Sequence, residues 1–260
     1  PNTWNGLCDA MRAKGYTDQE LRDAGLGSEK NGRIYDRFRN RLMFPIIDVR
    51  GNVIGFGGRV MDDSTPKYLN SPETLIFNKR KNLFGLNFAK KTKLGYMILV
   101  EGNVDVVTLH QYGFDCAVAS LGTSLTEEHA VLLSRYTENV VLIYDGDTAG
   151  QNATKRAIPI LEKAGLQVKV LQLQDAKDPD EYIQKFGADR FRQALEQSRT
   201  GFDHKAERIL AKYDLSVGAE KIKASNDLCT LIAEYWSSVE REVYLAQVSK
   251  ILELPVEVLK

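Results

Sequence analysis

The texture of apolar and polar positions changes twice along the 260 residues and divides the chain into three stretches. In the first, Leu7 and Met11, then Leu21 and Leu26, fall at helical spacing on either side of Lys14-Gly15-Tyr16, which predicts two short helices. Between Arg41 and Val60 the apolar runs Leu42–Ile47 and Val53–Phe56 flank Arg50-Gly51-Asn52, a turn between two strands, which predicts a hairpin. Residues 67–72 and 78–82 follow as loops. From Gly95 onward the pattern becomes regular. Strands at 96–100, 117–121, 140–144 and 168–173 alternate with helices at 104–112, 127–136, 149–164 and 179–186, the last ending at Gly187, with Pro159 a point where the third would kink. Near-continuous apolar strands separated by helices predict a parallel sheet covered by helices. After Phe202 the spacing is helical throughout. The expected fold is therefore α/β, with a mixed α+β stretch at 1–95, a sheet at 96–200 and a small helical part at 201–260.

Composition leaves this picture intact and adds an electrical one. The chain is 43% hydrophobic and carries 35 basic and 35 acidic residues, an ordinary globular composition. The balance hides an asymmetry: residues 1–95 hold 17 basic and 10 acidic side chains, 96–200 hold 10 and 15, and 201–260 hold 8 and 10. A basic part beside an acidic part suits a protein that holds a polyanion on one surface and divalent cations on another, although scattered solvated charge gives the same count. Cys8, Cys116 and Cys229 are odd in number and far apart, with no C-x-x-C, so neither a disulfide framework nor a zinc site is indicated. With no apolar run near bilayer length and no signal peptide, a soluble cytoplasmic protein without a membrane partner is expected. A first residue of Pro1 marks the sequence as a piece of something longer.

The acidic residues that matter stand just past strand ends: Glu101-Gly102, Asp145-Gly146-Asp147 and Asp178-Pro179-Asp180-Glu181. In a parallel sheet all strand C-termini share one edge, where open α/β sheets bind ligands, so Glu101, Asp145, Asp147, Asp178 and Asp180 are expected to converge. Five crowded carboxylates repel unless cations neutralise them, and oxygen-only ligands favour Mg²⁺ or Mn²⁺. Taken singly, Asp178 reads equally as a helix N-cap, and Asp145-Gly146-Asp147 as a turn. An EF-hand is excluded, since Ala149 and Arg156 occupy ligand positions five and twelve. There is no P-loop, no H-E-x-x-H and no G-x-S-x-G; Gly55-Phe56-Gly57-Gly58 stops short of a dinucleotide fingerprint, and His110, His129 and His204 read as packing residues.

Glu101-Gly102 with Asp105, Asp145-Gly146-Asp147-x-Ala149-Gly150 and Asp178-Pro179-Asp180-Glu181 together resemble the TOPRIM domain of primases and topoisomerases. The stretches 35–46, Gly55–Arg59 and Pro66–Thr74 resemble the catalytic core of bacterial DnaG-type primases. The resemblance covers residues 1–200 and implies a DNA-dependent RNA polymerase that makes short primers on single-stranded DNA from ribonucleoside triphosphates. It further implies two or more Mg²⁺ or Mn²⁺ ions on Glu101, Asp145, Asp147, Asp178 and Asp180, with Glu101 a ligand or a proton acceptor and Asp105 in support. Arg37, Arg39, Arg59, Lys67, Tyr68, Asn70 and Lys79 match positions that bind template or nucleotide. A replicative helicase would be engaged through a domain outside this chain. The sequence departs from the family at Asn103-Val104, Tyr144 and Gln151, where Tyr-Met, Phe and Arg are common; none of these removes a carboxylate. Two alternatives share the carboxylates: a TOPRIM nuclease or topoisomerase, and a DNA-binding relic of a primase that responds to no metal.

Overall fold

The first helices are held by carboxylates at their amino ends. In the computed structural model, which describes residues 2–235 and 237–259, α1 (Gly6–Ala13) directs the amides of Leu7 and Cys8 at the fully buried carboxylate of Asp36, at 2.8 and 2.9 Å. α2 (Asp18–Asp23) opens on a capping box of Thr17 and Glu20. β1 (Gly27–Lys30) and β2 (Arg33–Asp36) form an antiparallel hairpin turned by Asn31 and Gly32, both at positive φ. This hairpin is absent from the sequence-based expectation because Gly27–Lys30 has no apolar alternation.

β3 (Arg41–Ile47) and β4 (Val53–Val60) make the expected hairpin. A third strand, β5 (Tyr68–Asn70), pairs antiparallel with β4 and sets Tyr68 opposite Arg59. The loop expected at 67–72 is thus a strand; three residues are too few to show a period of two. A 3₁₀ turn at Lys79–Lys81 and the short α3 (Leu86–Ala89) lead into the regular part.

There β6 (Met97–Val100), β7 (Ala117–Ala119), β8 (Asn139–Ile143) and β9 (Gln167–Val170) run parallel in the order β9-β8-β6-β7. The connecting helices are α4 (Asn103–Gln111), α5 (Glu127–Leu133), α6 (Thr148–Lys163) and α7 (Pro179–Glu196). Both faces of the sheet are apolar because both are covered. Met97, Leu99, Val140 and Leu142 pack with Ala130, Leu133, Ile158 and Leu161 of α5 and α6. Ile98, Val100, Val141 and Ile143 pack with Val106 and Leu109 of α4 and Ile183 and Phe191 of α7. Pro159 lies inside α6, and Gly187 interrupts α7 at φ 80° before helix resumes to Glu196. A separate core of Ile46, Ile54, Phe77 and Leu121 joins the β3–β4 hairpin to the segment after β7.

Residues up to Glu196 form one compact unit and those from Gln197 a second. The second is α8 (Gly201–Leu210), α9 (Gly218–Ala233), α10 (Ser238–Leu252) and α11 (Val256–Leu259) around Phe202, Leu228, Ile232, Val248 and Leu252. Phe202 stacks on Tyr244 with ring centroids 3.9 Å apart. No helix of the described residues is long and apolar enough to cross a membrane.

Candidate active site

Parallel register brings the first two acidic segments together. Val100 pairs with Ile143, so the residues that follow leave the sheet side by side. The amide of Asp145 donates to Glu101 Oε1 at 3.0 Å, tying one strand end to the other. Asp147 caps α6 by accepting from the Gly150 amide at 2.8 Å. The loop is so tight that a Cβ at Gly150 would lie 2.1 Å from the Asp145 carbonyl oxygen, leaving glycine the one residue that fits. Gln151 Nε2 donates to the Gly146 carbonyl, so the side chain at this departure from the family closes the same loop.

The third acidic segment is reached through α4. Asp105 accepts from the amide of Gly102 at 3.2 Å and from the amide of Asp180 at 3.4 Å. Asp178 caps α7, accepting from the Glu181 amide at 2.8 Å, which fulfils the capping reading of this residue; Glu181 in turn accepts from the amide of Lys177. Asp180 Oδ1 accepts from Thr108 Oγ1 at 2.6 Å and from Gln184 Nε2 at 2.9 Å.

Proximity and burial show in the acidities. The Asp145 carboxyl is pushed up to about 6, by burial first and then by Glu101, Asp178 and Asp147, while Lys177 pulls it down. Burial, with the charge of Asp178 behind it, carries Asp105 to about 7. Glu101 is raised by burial and then by Asp147, against the Asp145 amide. The Tyr144 hydroxyl is raised by burial first and then by the Glu101 charge.

The five carboxylates nonetheless do not close into a cage: among the described residues no group of three or more His, Cys, Asp or Glu side chains is placed to hold a metal ion by itself. Glu101, Asp147, Asp178 and Asp180 each commit one oxygen to an amide or hydroxyl and keep the other. Asp145 differs, for its half-buried carboxylate makes no hydrogen bond within the described residues. A free carboxylate between Glu101 and Asp147 fits Mg²⁺, which keeps several waters and takes one or two carboxylates plus substrate phosphates rather than an all-protein cage.

The basic residues separate into groups. Arg37 Nη2 donates to the Asn70 carbonyl at 2.9 Å, yet its buried Nε has no partner among the described residues, and the same is true of Arg59 Nε. Arg59 and Lys67 lie over the Tyr68 ring at 5.9 Å each. Burial raises the pKa of the Tyr68 hydroxyl, Arg59 lowers it, and Asp105, Asp178 and Asp180 of the acidic edge add to the rise at the junction with β5. Asn70 reaches the same junction: a Cβ on Gly57 would lie 2.9 Å from Asn70 Oδ1 and from Asn103 Nδ2. Arg39 turns elsewhere, over Trp4 at 4.3 Å and Tyr35 at 5.2 Å. Lys79 is fixed through its backbone, its amide donating to Glu73 and its carbonyl accepting from His129 Nε2 at 2.7 Å.

Trp4, Thr108 and Lys177 are absent from the sequence-based site. Trp4 is one of two tryptophans, and Thr108 is a hydroxyl in the mostly apolar stretch that follows Asp105, one turn after it; both are visible signals once those neighbours are suspected. Lys177 precedes Asp178 directly but has no motif to mark it.

Three family models match the chain: the N-terminal domain of the DNA primase catalytic core over residues 1–90, a Toprim-like model over 98–183, and the DnaB-helicase binding domain of primase over 202–257. The last match falls within this chain, against the expectation that such a domain lies outside it. The helical stretch carries no catalytic motif, so its sequence gave no chemical sign of the match. The DNA primase of Clostridium acetobutylicum is 49% identical over 247 residues, 95% of this chain and 41% of that protein. The chain thus spans about two fifths of the length of this curated relative. The Escherichia coli primase catalytic core superposes with a TM-score of 0.83 at 39% identity, covering 98% of this chain and 83% of that one. A DnaG primase catalytic domain bound to single-stranded DNA gives a TM-score of 0.85 at 39% identity, over 98% and 81% of the two chains.

Proposed function

The chain belongs to the DNA primase family, and from that premise we propose that it is the nucleotide-joining part of a primase, a nucleotidyltransferase that makes short RNA primers on single-stranded DNA. The observation that carries this reading is the placement of β5: Asn70 and Asn103, the first residue of α4, both meet Gly57, and Tyr68, two residues before Asn70, carries Arg59 and Lys67 over its ring. Phosphate-binding and cation-binding side chains thereby share one site.

Each group has a physical task. Arg37 and Arg59 each bury a nitrogen without a partner, a cost of about 1–3 kcal/mol that a phosphate oxygen would remove. Lys67 adds charge beside Arg59 over the Tyr68 ring, Lys79 is a further cation on the turn before α3, and Asn70 braces Arg37 through its carbonyl. Arg39 against Trp4 and Tyr35 offers a stacking platform for template bases, which every base can use. Mg²⁺ or Mn²⁺, held by Asp145 with Glu101 and Asp147 and by the outer oxygens of Asp178 and Asp180, would supply the charge that activates the attacking 3′-hydroxyl and stabilises the departing pyrophosphate. Glu101 keeps Oε2 clear while Oε1 is held, and its raised pKa, which makes the carboxylate a better base, suits it to take the proton of that hydroxyl as well as to hold a cation. The family model over residues 202–257 supports a replicative helicase as the partner of the second unit.

The test is RNA synthesis from ribonucleoside triphosphates on single-stranded DNA with Mg²⁺ or Mn²⁺, with cut DNA scored in the same tubes. Short oligoribonucleotides that vanish in Asp145→Ala and Asp147→Ala proteins are expected. Metal-dependent cutting without synthesis would replace this reading with a nuclease, and DNA binding indifferent to metal would replace it with a relic.

A further inference from the structure

Thr108 sits on the buried face of α4, 9% exposed, in a stretch from Val104 to Leu109 that is apolar apart from Asp105 and Thr108 itself. A threonine hydroxyl inside a helix ordinarily turns back to the carbonyl four residues earlier. Here it crosses to the next helix and donates to Asp180 Oδ1 at 2.6 Å. Three residues earlier on α4, Asp105 Oδ1 accepts from the amide of the same Asp180 at 3.4 Å. One turn of α4 therefore grips Asp180 twice, at its backbone and at its carboxylate. Asp105 Oδ2 meanwhile accepts from Gly102, the residue after Glu101. The clasp is thus continuous with the Glu101 strand end, and Gln184 Nε2 is the one other donor to the Asp180 carboxylate among the described residues.

We propose that Thr108 is a positioning residue which, by fixing Oδ1 of Asp180, aims Oδ2 of that carboxylate at a divalent cation shared with the acidic edge. The inference rests on the primase reading of the site and deepens it: Asp180 binds, and Thr108 sets where. Hydrogen bonds that orient a ligating carboxylate are worth roughly 10- to 100-fold in metal affinity. Since Gln184 retains a hold on the same oxygen, loss of the threonine hydroxyl falls at the lower end, roughly 10-fold.

The experiment titrates Mn²⁺ alone, without nucleotide or DNA, into the full chain and reads free Mn²⁺ by electron paramagnetic resonance. Thr108→Val removes the hydroxyl and keeps the shape; Thr108→Ser keeps the hydroxyl. The expected result is Mn²⁺ binding weakened roughly 10-fold in Thr108→Val and restored to within about 2-fold in Thr108→Ser, with oligonucleotide affinity in chelator unchanged in both. Equal Mn²⁺ affinity in the parent and Thr108→Val proteins, or a Thr108→Ser protein as weak as the valine variant, overturns the proposal while leaving primer synthesis by the parent intact. A parent chain that neither binds Mn²⁺ nor makes primers overturns this inference and the primase reading together. Melting curves accompany each titration, and if Thr108→Val fails to fold, Thr108→Ala takes its place with the same expected loss.

Discussion

The acidic edge of the sheet and the basic face beside it hold their charges by opposite means. On the acidic edge Glu101, Asp147, Asp178 and Asp180 each accept a hydrogen bond from an amide or a hydroxyl at 3.0 Å or less. On the basic face Arg37 and Arg59 bury unpaired nitrogens, and Arg39, Arg59 and Lys67 rest over aromatic rings. A carboxylate at a helix amino end is satisfied by the backbone before any ligand arrives. A guanidinium over an aromatic ring is supported but keeps its donors for a ligand. The acidic edge is therefore preorganised by the protein itself, and the basic face is completed by what it binds.

The sharpest way to break this contrast is at Gly150. With the Asp145 carbonyl oxygen 2.1 Å from the position of an added Cβ, Gly150→Ala forces the Asp145–Asp147 loop apart. Displacement by about 1 Å at a reacting centre costs on the order of 10²-fold in rate. Primer synthesis is expected to fall by about that factor while oligonucleotide binding, measured by fluorescence anisotropy, stays at the parent value. Equal loss of both would show that the two regions are one mechanical unit and would remove the contrast.

Arg59 tests the other side. Replacing it by alanine removes a phosphate donor whose hydrogen bonds are worth about 1.5–3 kcal/mol, so oligonucleotide affinity is expected to drop roughly 10-fold or more. The slope of log affinity against log salt should also shrink by about one. Arg59→Lys keeps the charge and loses the planar fork, so the salt slope should recover and the affinity should not. Mn²⁺ binding should stay at the parent value in both, since Arg59 lies over Tyr68 and bonds to none of the carboxylates.

The same contrast explains what could be read from the sequence. The acidic edge was legible because a parallel sheet converts strand ends into one address, and unbroken runs such as Met97–Val100 and Asn139–Ile143 announce the strands. What it did not reveal was the use of each carboxylate, because Thr108, 72 residues from Asp180, becomes its donor only when α4 and α7 pack. On the basic side the residue types were visible but the scaffold was not. β5 is three residues long, and β1 is polar throughout although Asn31-Gly32 is a hairpin signal. The helical unit read correctly as helices and carried nothing chemical to interpret.

The smallest effect concerns a tie between the two regions. His129 on α5 is fully buried; its Nδ1 accepts from the Thr126 amide at 3.2 Å, so Nε2 carries the proton and donates to the Lys79 carbonyl at 2.7 Å. Burial holds its acidity below the ordinary 6.5, outweighing the carbonyl groups that favour the cation. A depressed histidine pKa means that the unfolded chain takes up a proton before the folded one does. The stability due to neutral His129 is then complete above about 6.5 and is lost as pH falls through the folded value. A proton on Nδ1 would face the Thr126 amide and break that bond at the start of α5. The melting temperature of the parent should therefore fall more steeply between pH 7 and pH 5 than that of His129→Gln, whose amide keeps a donor toward Lys79 without titrating. The difference should not exceed about 1.4 kcal/mol per pH unit. Identical pH profiles for the two proteins would mean that the bond from the Thr126 amide to His129 contributes nothing to holding α5 beside the Lys79 turn.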